Sequence, residues 1–382
     1  MGIDQRKSRA TLLTSQSARN DVQGIIRAMD SVLGPLLPLF QRERAAGRAL
    51  ALGILAHTAG STYRKPGAML LIAADGEYAG LISGGCLEGD LGERARAVIE
   101  GGQASLVTYD LRNSEDLLWG LGLGCEGAMH ILLLRVGPRE EWQPLAHLAA
   151  ALEAHTPTAI GVVTESREGQ VPVGALLLPS ANAPAALLEP EVLAALARAP
   201  GARAVSWLAG AGERWKLLLL PLALPPRLLL LGAGPDALPV VDFAVRLHWR
   251  VTLIDHRPAY AMPSHFPLAE RVLLARPEEI AEAVALGDFA AAVVMSHHLP
   301  SDLEYLRALN ASPLPYIGLL GPPARREKLL AELGSGAERL RPRLRAPVGF
   351  NLGGRTPESI ALAVVAEIHA FIHGMPPARS AT

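Results

Sequence analysis

The 382-residue chain is short of aromatic residues, which make up 4% of it, and has two cysteines, Cys86 and Cys125. Two cysteines exclude the disulfide scaffold of a small secreted protein, though not a single bridge. No charge of one sign prevails: 36 Lys and Arg stand against 37 Asp and Glu, a formal charge of −1. That balance supplies no global field to steer the chain onto nucleic acid or anionic lipid, so neither is an expected partner. An unbroken apolar run of membrane-spanning length is also missing. The nearest stretch, KLLLLPLALPPRLLLLGAG at 216–234, is interrupted by Pro221, Pro225, Pro226 and Arg227. Prolines would break a helix that has to satisfy its own backbone in lipid. The stretch reads instead as two buried strands, 217–220 and 228–231, joined by a stiff Pro-Pro linker. Residues 1–20 are polar and Ser-rich, without the apolar run of a secretory signal. They read as a disordered tail, and the protein as cytoplasmic with no stable membrane insertion.

What is present argues for a folded, core-forming protein. The apolar share is 50% and the charged share 19%, which excludes wholesale disorder. The mean hydropathy of +0.24 comes from Ala, Leu and Val, and this apolar richness leaves a homodimer open. The fold class read from the pattern is α/β: an N-terminal mixed α/β domain over 21–224, then a Rossmann-like doubly wound parallel-sheet domain over 225–382. In the first, a helix is expected over 22–46, kinked at Pro35 and Pro38. Strands are expected at 49–57, 68–73, 78–82, 104–109 and 129–136, with a helix at 87–100. Further strands fall at 159–164, 174–178 and 204–208, and a helix at 190–199. Beyond Pro225-Pro226 strands and helices alternate: strands 228–231, 250–254, 291–295 and 316–319, helices 238–247, 277–285, 302–310 and 324–333. Such alternation implies a parallel sheet. A last helix, 357–373, has Thr356 placed as N-cap, Pro357 at its first position and Gly374 just past its end.

Gly232-Ala-Gly234-Pro-Asp-Ala237 follows a strand and opens a helix, fitting the dinucleotide pattern G-x-G-x-x-G/A. Gly232 permits the turn, and Gly234 lets backbone approach a pyrophosphate at the helix N-terminus. Asp255 ends the next strand at about the ~20-residue spacing expected of an acid that binds a ribose 2′-hydroxyl. NAD is therefore a candidate ligand. The plain alternative is that the glycines only make the turn; Pro235, lacking an N–H, leans that way. His297 and Asp302 follow the 291–295 strand at the same sheet edge and are candidates to face a ligand.

Both cysteines sit among glycines, in Ser83-Gly84-Gly85-Cys86-Leu-Glu88 and Gly122-Leu-Gly124-Cys125-Glu-Gly127. Glycines strip side chains from around the sulfur and let other backbone come close. Cys86 also stands at a helix start, which favours thiolate. A thiolate there can bind a soft metal, carry a persulfide or act as nucleophile; the plain alternative is a small hydrophobe in a tight turn. Bare N–H groups at Gly84 and Gly85 can hold a phosphate. A third loop, Gly60-Ser61-Thr62-Tyr63-Arg64-Lys65-Pro66-Gly67, offers hydroxyls and positive charge to an anion, or is a solvated turn.

The order G-S-T-Y-R-K-P-G-A, I-S-G-G-C-L-E, W-G-L-G-L-G-C-E-G, then a Rossmann unit, resembles the XdhC/CoxI family. I-D-H-R-P-A-Y-A, M-S-H-H-L-P-S-D, Y-I-G-L-L-G and R-T-P-E-S-I-A extend the likeness to nearly the whole chain. The resemblance implies an accessory protein of xanthine dehydrogenase-type molybdenum hydroxylases. Such a protein binds the molybdenum cofactor (molybdopterin or its nucleotide form), protects it while a terminal sulfur is installed, and delivers it. The partner it implies is the hydroxylase large subunit, with a cysteine desulfurase as sulfur source. Carried onto this sequence, Cys86 or Cys125 would face molybdenum or carry sulfur, with Cys86 the candidate metal ligand. Ser61, Thr62, Arg64, Ser83, Gly84, Gly85, Glu88 and Gly124 would line the cofactor, and Gly232, Gly234, Asp255, His297 and Asp302 a nucleotide. Glu126 departs from the Gly-Cys-Gly-Gly often seen there. Two other readings compete: an NAD(P)-dependent oxidoreductase, resting on Gly232, Gly234 and Asp255, and a ligand-free interaction protein.

Overall fold

The computed structural model describes residues 11–13, 33–85, 87–110, 127–167, 171–179, 183–202 and 204–375. The chain divides into two compact units, 1–224 and 225–382.

The first unit runs β1 (Thr11–Leu13), α1 (Leu37–Ala45), β2 (Leu50–Gly60), β3 (Met69–Ala73), β4 (Tyr78–Gly80), α2 (Glu88–Gly101), β5 (Ser105–Asp110), β6 (Gly127–Val136), α3 (Leu145–Glu153), β7 (Ala159–Ser166), β8 (Leu176–Leu177), α4 (Pro190–Arg198), β9 (Ser206–Ala209) and β10 (Trp215–Pro221). Its described strands form two antiparallel sheets, ordered β4-β3-β2-β6-β5 and β1-β9-β10-β7-β8. The apolar runs explain the layering, because neighbours on a strand face opposite ways. Leu50, Leu52 and Ile54 of β2 enter a core shared with Leu218 and Leu220 of β10. Ala51 and Leu55 face the other way, onto Leu91, Ala95 and Val98 of α2. Leu217 and Leu219 of β10 likewise turn to Val192 and Leu196 of α4.

The second unit runs β11 (Arg227–Leu231), α5 (Ala237–Arg246), β12 (Arg250–Asp255), β13 (Arg271–Leu274), α6 (Ile280–Ala283), β14 (Ala291–Val294), α7 (Leu299–Ala311), β15 (Ile317–Leu319), α8 (Pro323–Leu333), α9 (Ala337–Leu340), β16 (Leu344–Arg345) and α10 (Pro357–Ile372). Its described strands make one parallel sheet, ordered β13-β12-β11-β14-β15-β16. Counted from β11, that is the 3-2-1-4-5-6 order of a dinucleotide-binding fold, whose crevice opens where the order reverses, between β11 and β14. Leu229 and Leu231 pack with Leu306 of α7 and Leu329 of α8. Leu228 and Leu230 pack with Val241 of α5 and Val364 of α10. The doubly wound reading of this half is thereby met.

Several local expectations change. The helix expected over 277–285 contracts to α6, Ile280–Ala283, because Val284 takes extended backbone at φ −146°, ψ 147°. β13 and β16 were not foreseen; β13 is half-exposed at the sheet edge, and β16 is two residues long. Pro38 does not kink a helix but opens α1, after a 3₁₀ turn at Gly34–Leu36 that Pro35 opens. In a first turn the missing N–H has no helical partner to lose. Within the expected tail, β1 pairs antiparallel with β9; the rest of 1–20, and 22–32 of the first helix, lie outside the described residues. α10 has the expected ends, with Thr356 Oγ1 accepting from the Ser359 N–H at 3.3 Å and Gly374 following at φ +70°. Among the described residues, no helix is long and apolar enough to cross a membrane.

Candidate functional site

The register of the first sheet gathers the expected loops at one of its ends. Gly60 pairs with Gly127, Asp110 with Ala128, Ile54 with Met69 and Leu70 with Gly80. The connections 61–68, 81–87 and 111–126 therefore all leave from this end. Between them they carry Ser61, Thr62 and Arg64; Ser83, Gly84, Gly85 and Cys86; and Gly124 and Cys125. Cys86, Gly124 and Cys125 themselves lie outside the described residues, so their separation is not described, but the strand ends that carry these connections are fixed. A side chain at Gly127 would start 2.4 Å from the Ser61 carbonyl oxygen and 2.6 Å from Thr62 Cγ2. Gly127, the first residue of β6, thus presses directly on the Ser61–Thr62 turn, and only glycine permits that approach.

The 83–88 loop is closed by its own glutamate. Glu88 accepts from the Ser83 N–H at 3.1 Å, from the Ser83 hydroxyl and from the Leu87 N–H at 3.1 Å. Ser83 Oγ in turn accepts from the N–H groups of Gly85 and Leu87, both at 3.2 Å. Ser83 and Glu88 are 1% and 5% exposed. Both were expected to line a ligand; their polar atoms instead hold the two flanks of position 86. Gly84 and Gly85 are exposed, with no atom within 4 Å of where a side chain would begin, leaving that backbone open to an anion. Replacing Glu88 by alanine orphans buried N–H donors at about 1–3 kcal/mol each. A loss of about 3 kcal/mol in chemical denaturation is expected; a loss below about 1 kcal/mol would show that the latch does not hold the loop. Below it, Asp90 of α2 accepts from the Tyr109 hydroxyl of β5 and from Arg94 Nε at 2.7 Å, fixing α2 to the sheet. Burial and the Asp90 carboxylate push the Tyr109 phenol well above its usual range.

In the third loop, the Thr62 hydroxyl donates to the Arg64 carbonyl at 2.9 Å and so shapes its own turn. Ser61 and Lys65 are exposed and Arg64 half-buried. Among the described residues, no carboxylate pairs with Arg64 or Lys65. This end of the sheet therefore combines cationic side chains, open glycine backbone and the strand ends that lead into both thiol-bearing segments. No group of three or more His, Cys, Asp or Glu side chains is arranged to hold a metal among the described residues.

The crevice of the second unit differs from the expectation in its detail. Gly232, at φ +116°, lies so close to β14 that a side chain would start 2.7 Å from backbone atoms of Met295 and Ser296. Gly232→Ala is expected to destabilise by about 3 kcal/mol, from strain and a backbone clash together; unchanged thermal unfolding would contradict this. Asp255 ends β12 but is 1% exposed. Its Oδ1 accepts from the Arg257 N–H and Nε, both at 2.9 Å, and its Oδ2 from the Ala233 N–H at 2.8 Å and Arg257 Nη2 at 2.7 Å. Four donors saturate a carboxylate, so a ribose would have to displace Arg257. That guanidinium lies 3.8 Å from the Tyr260 ring centroid.

Burial alone would raise the Asp255 pKa, but the Arg257 guanidinium and the two backbone N–H groups outweigh it and hold the carboxyl below its usual range. A depressed folded-state pKa gives stability that is complete above the unfolded value near ~3.9 and is lost as pH falls through the folded value. Arg257→Ala is therefore expected to move the acid-unfolding midpoint of the full chain upward, read by circular dichroism. An unmoved midpoint would mean that the pair does not bear on folding.

Where a pyrophosphate was expected, the loop holds a carboxylate. Asp236 Oδ2 lies 2.7 Å from Nε2 of His297, a residue at the left-handed φ of +59°. Asp302, 1% exposed, accepts from Ser296 Oγ at 2.5 Å and from Arg325 Nε and Nη2 at 3.0 and 2.5 Å. Its carboxylate is taken inside the fold. Arg257, Asp236 and Arg325 went unread as site residues, although Arg257 stands two positions beyond Asp255.

Residues 228–368 match the family model described as the XdhC Rossmann domain, and 43–110 the model described as the XdhC and CoxI family. The chain is 32% identical over 323 residues to a protein of Bacillus subtilis (strain 168) named as a probable xanthine dehydrogenase subunit, covering 83% of this chain and 91% of that one. It is 32% identical over 146 residues to the uncharacterized protein YqeB of Escherichia coli (strain K12), covering 37% of this chain and 27% of that one. Among solved structures, a crystal structure described as a xanthine dehydrogenase from Bacillus halodurans superimposes with a TM-score of 0.70 at 26% identity, over 90% of this chain and 98% of that one. On matches that cover both units, this chain belongs to the XdhC and CoxI family.

Proposed function

We propose that this protein binds the molybdenum cofactor, supports its sulfuration and delivers it to a xanthine dehydrogenase-type molybdenum hydroxylase. The observation that carries the reading is that the strand ends from which 61–68, 81–87 and 111–126 run lie at one end of the sheet. The cargo carries a phosphate and a sulfur-ligated metal, and the residues present fit both. Arg64, Lys65 and the open backbone of Gly84 and Gly85 suit the phosphate. Cys86 and Cys125 supply thiols suited to a soft metal or to sulfur passed on by a cysteine desulfurase. The Ser83–Glu88 latch orients the first of these loops. The relatives' names support a hydroxylase of the xanthine dehydrogenase type as recipient.

The hydride-transfer alternative loses support in the crevice. Asp255 is saturated, Pro235 lacks an N–H, and Asp236 puts negative charge where a pyrophosphate would lie. The test is reconstitution. A cofactor-free hydroxylase, mixed with this protein purified from cells that make the cofactor, is expected to gain activity. No gain beyond that from free cofactor would contradict delivery.

A further inference from the structure

One cluster near the same sheet end has no part in the contacts above. Thr108 of β5, His130 of β6 and His57 of β2 stand side by side in register. The His57 and His130 ring centroids are 5.6 Å apart, and His130 Nδ1 lies 3.1 Å from the Thr108 hydroxyl. Facing them from the other sheet is Trp207 of β9, its ring centroid 6.3 Å from that of His57. Beside it, Lys216 of β10 pairs with Glu165 of β7 at 2.9 Å, and both charges bear on His57. The row marks where the apolar layer between the sheets gives way to solvent: His57, Thr108 and Glu165 are exposed, and His130, Trp207 and Lys216 half-buried.

The protonation of His57 follows from its contacts. Nδ1 lies 3.0 Å from the Thr58 carbonyl oxygen, which can only accept, so Nδ1 carries the hydrogen. Burial and the neighbouring His130 lower its pKa below the ordinary histidine value, so the ring is neutral at pH 7. Nε2 is then a bare acceptor, without a hydrogen-bond partner among the described residues. Glu165 binds Lys216 through Oε2, and its Oε1 also lacks a partner among the described residues. The mouth between the sheets thus brings together a half-buried indole and two acceptors without hydrogen-bond partners among the described residues. That combination suits a flat heterocycle whose edge carries N–H donors.

We propose that Trp207, His57 and Glu165 seat the 2-amino-4-oxopyrimidine ring of a pterin, with Trp207 stacking on it and His57 Nε2 and Glu165 Oε1 accepting from its N–H and amino groups. The assignment rests on the reading of this protein as a cofactor carrier and adds the position of the pterin end. Guanine shares the same edge, and the fused second ring separates the two.

The test titrates the full chain with pterin, with lumazine, in which an oxygen replaces the amino group, and with guanosine, followed by calorimetry. Pterin is expected to bind, and lumazine and guanosine to bind about tenfold more weakly or worse. Trp207→Ala is expected to weaken pterin about tenfold or more, as loss of a stacking platform does, and Trp207→Phe to recover part of this. Glu165→Gln, at an exposed position whose ion pair with Lys216 contributes little to stability, should weaken pterin and narrow the gap to lumazine. Equal binding of pterin and lumazine, binding unaffected by Trp207→Ala and Glu165→Gln, or no pterin binding by the unaltered chain would overturn the seat. Guanosine binding as tightly as pterin would overturn the pterin assignment. Cofactor carried out of cells is scored separately: its retention by Trp207→Ala at the unaltered level removes this seat and leaves the carrier intact, whereas its absence from the unaltered chain removes the carrier.

Discussion

Replacing Arg325 by alanine is expected to cost about 3–5 kcal/mol of stability, the range for breaking a buried ion pair by removing one partner. Asp302 is 1% exposed and has Ser296 and Arg325 on its carboxylate. Without the guanidinium, a buried carboxylate keeps one hydroxyl donor and most of its desolvation penalty. The cost then belongs to the stranded charge rather than to lost packing. Removing both partners, Asp302→Ala with Arg325→Ala, should therefore be less damaging than Arg325→Ala alone. Chemical denaturation of the single and double variants reads this directly. A double variant that is weaker by the sum of the singles would contradict it. The network also sets the tip of β14, where Ser296 precedes His297, so the His297–Asp236 contact should loosen in the same variant.

The second large effect concerns the thiols. Cys86→Ala combined with Cys125→Ala is expected to leave thermal unfolding nearly unchanged while cutting retained cofactor about tenfold or more. Loss even of outer partners of a metal ligand weakens metal sites about 10–100-fold. The single variants, measured beside the double, assign the larger share to one loop. Equal retention by the double variant and the unaltered chain would remove both cysteines from the mechanism.

The contrast between the two halves shows what a sequence can reveal. In β2 and β10 consecutive apolar residues marked strands buried on both faces, and the packing follows that alternation residue by residue. The Gly232–Gly234 turn and the parallel sheet were legible for the same local reason: a strand, a tight turn and a helix write their demands within a few residues. β13 was not, since an apolar run as short as 272–274 has no period that tells a strand from a helix. The side-chain roles of the crevice were also hidden. That Asp255 would turn to Arg257, and Asp302 to Arg325, is decided by competing donors brought together in space, and only the first of these partners lies near in sequence. Glu88 stood out as a candidate contact because of its place after Cys86; the fold shows why an acid stands there, closing the loop on Ser83. The placing of His57 beside His130 and Trp207 was hidden, because the row joins strands from two sheets across a β-bulge between Leu55 and His57.

The central claim, that this chain carries the molybdenum cofactor, is tested most directly by what it holds when taken from cells. The full chain would be purified from cells with active cofactor synthesis, verified by a working molybdenum hydroxylase in the same culture. Bound pterin would then be released, oxidised and quantified by fluorescence. Pterin in stoichiometric proportion to protein is the predicted result. Protein free of pterin from such cells would contradict it.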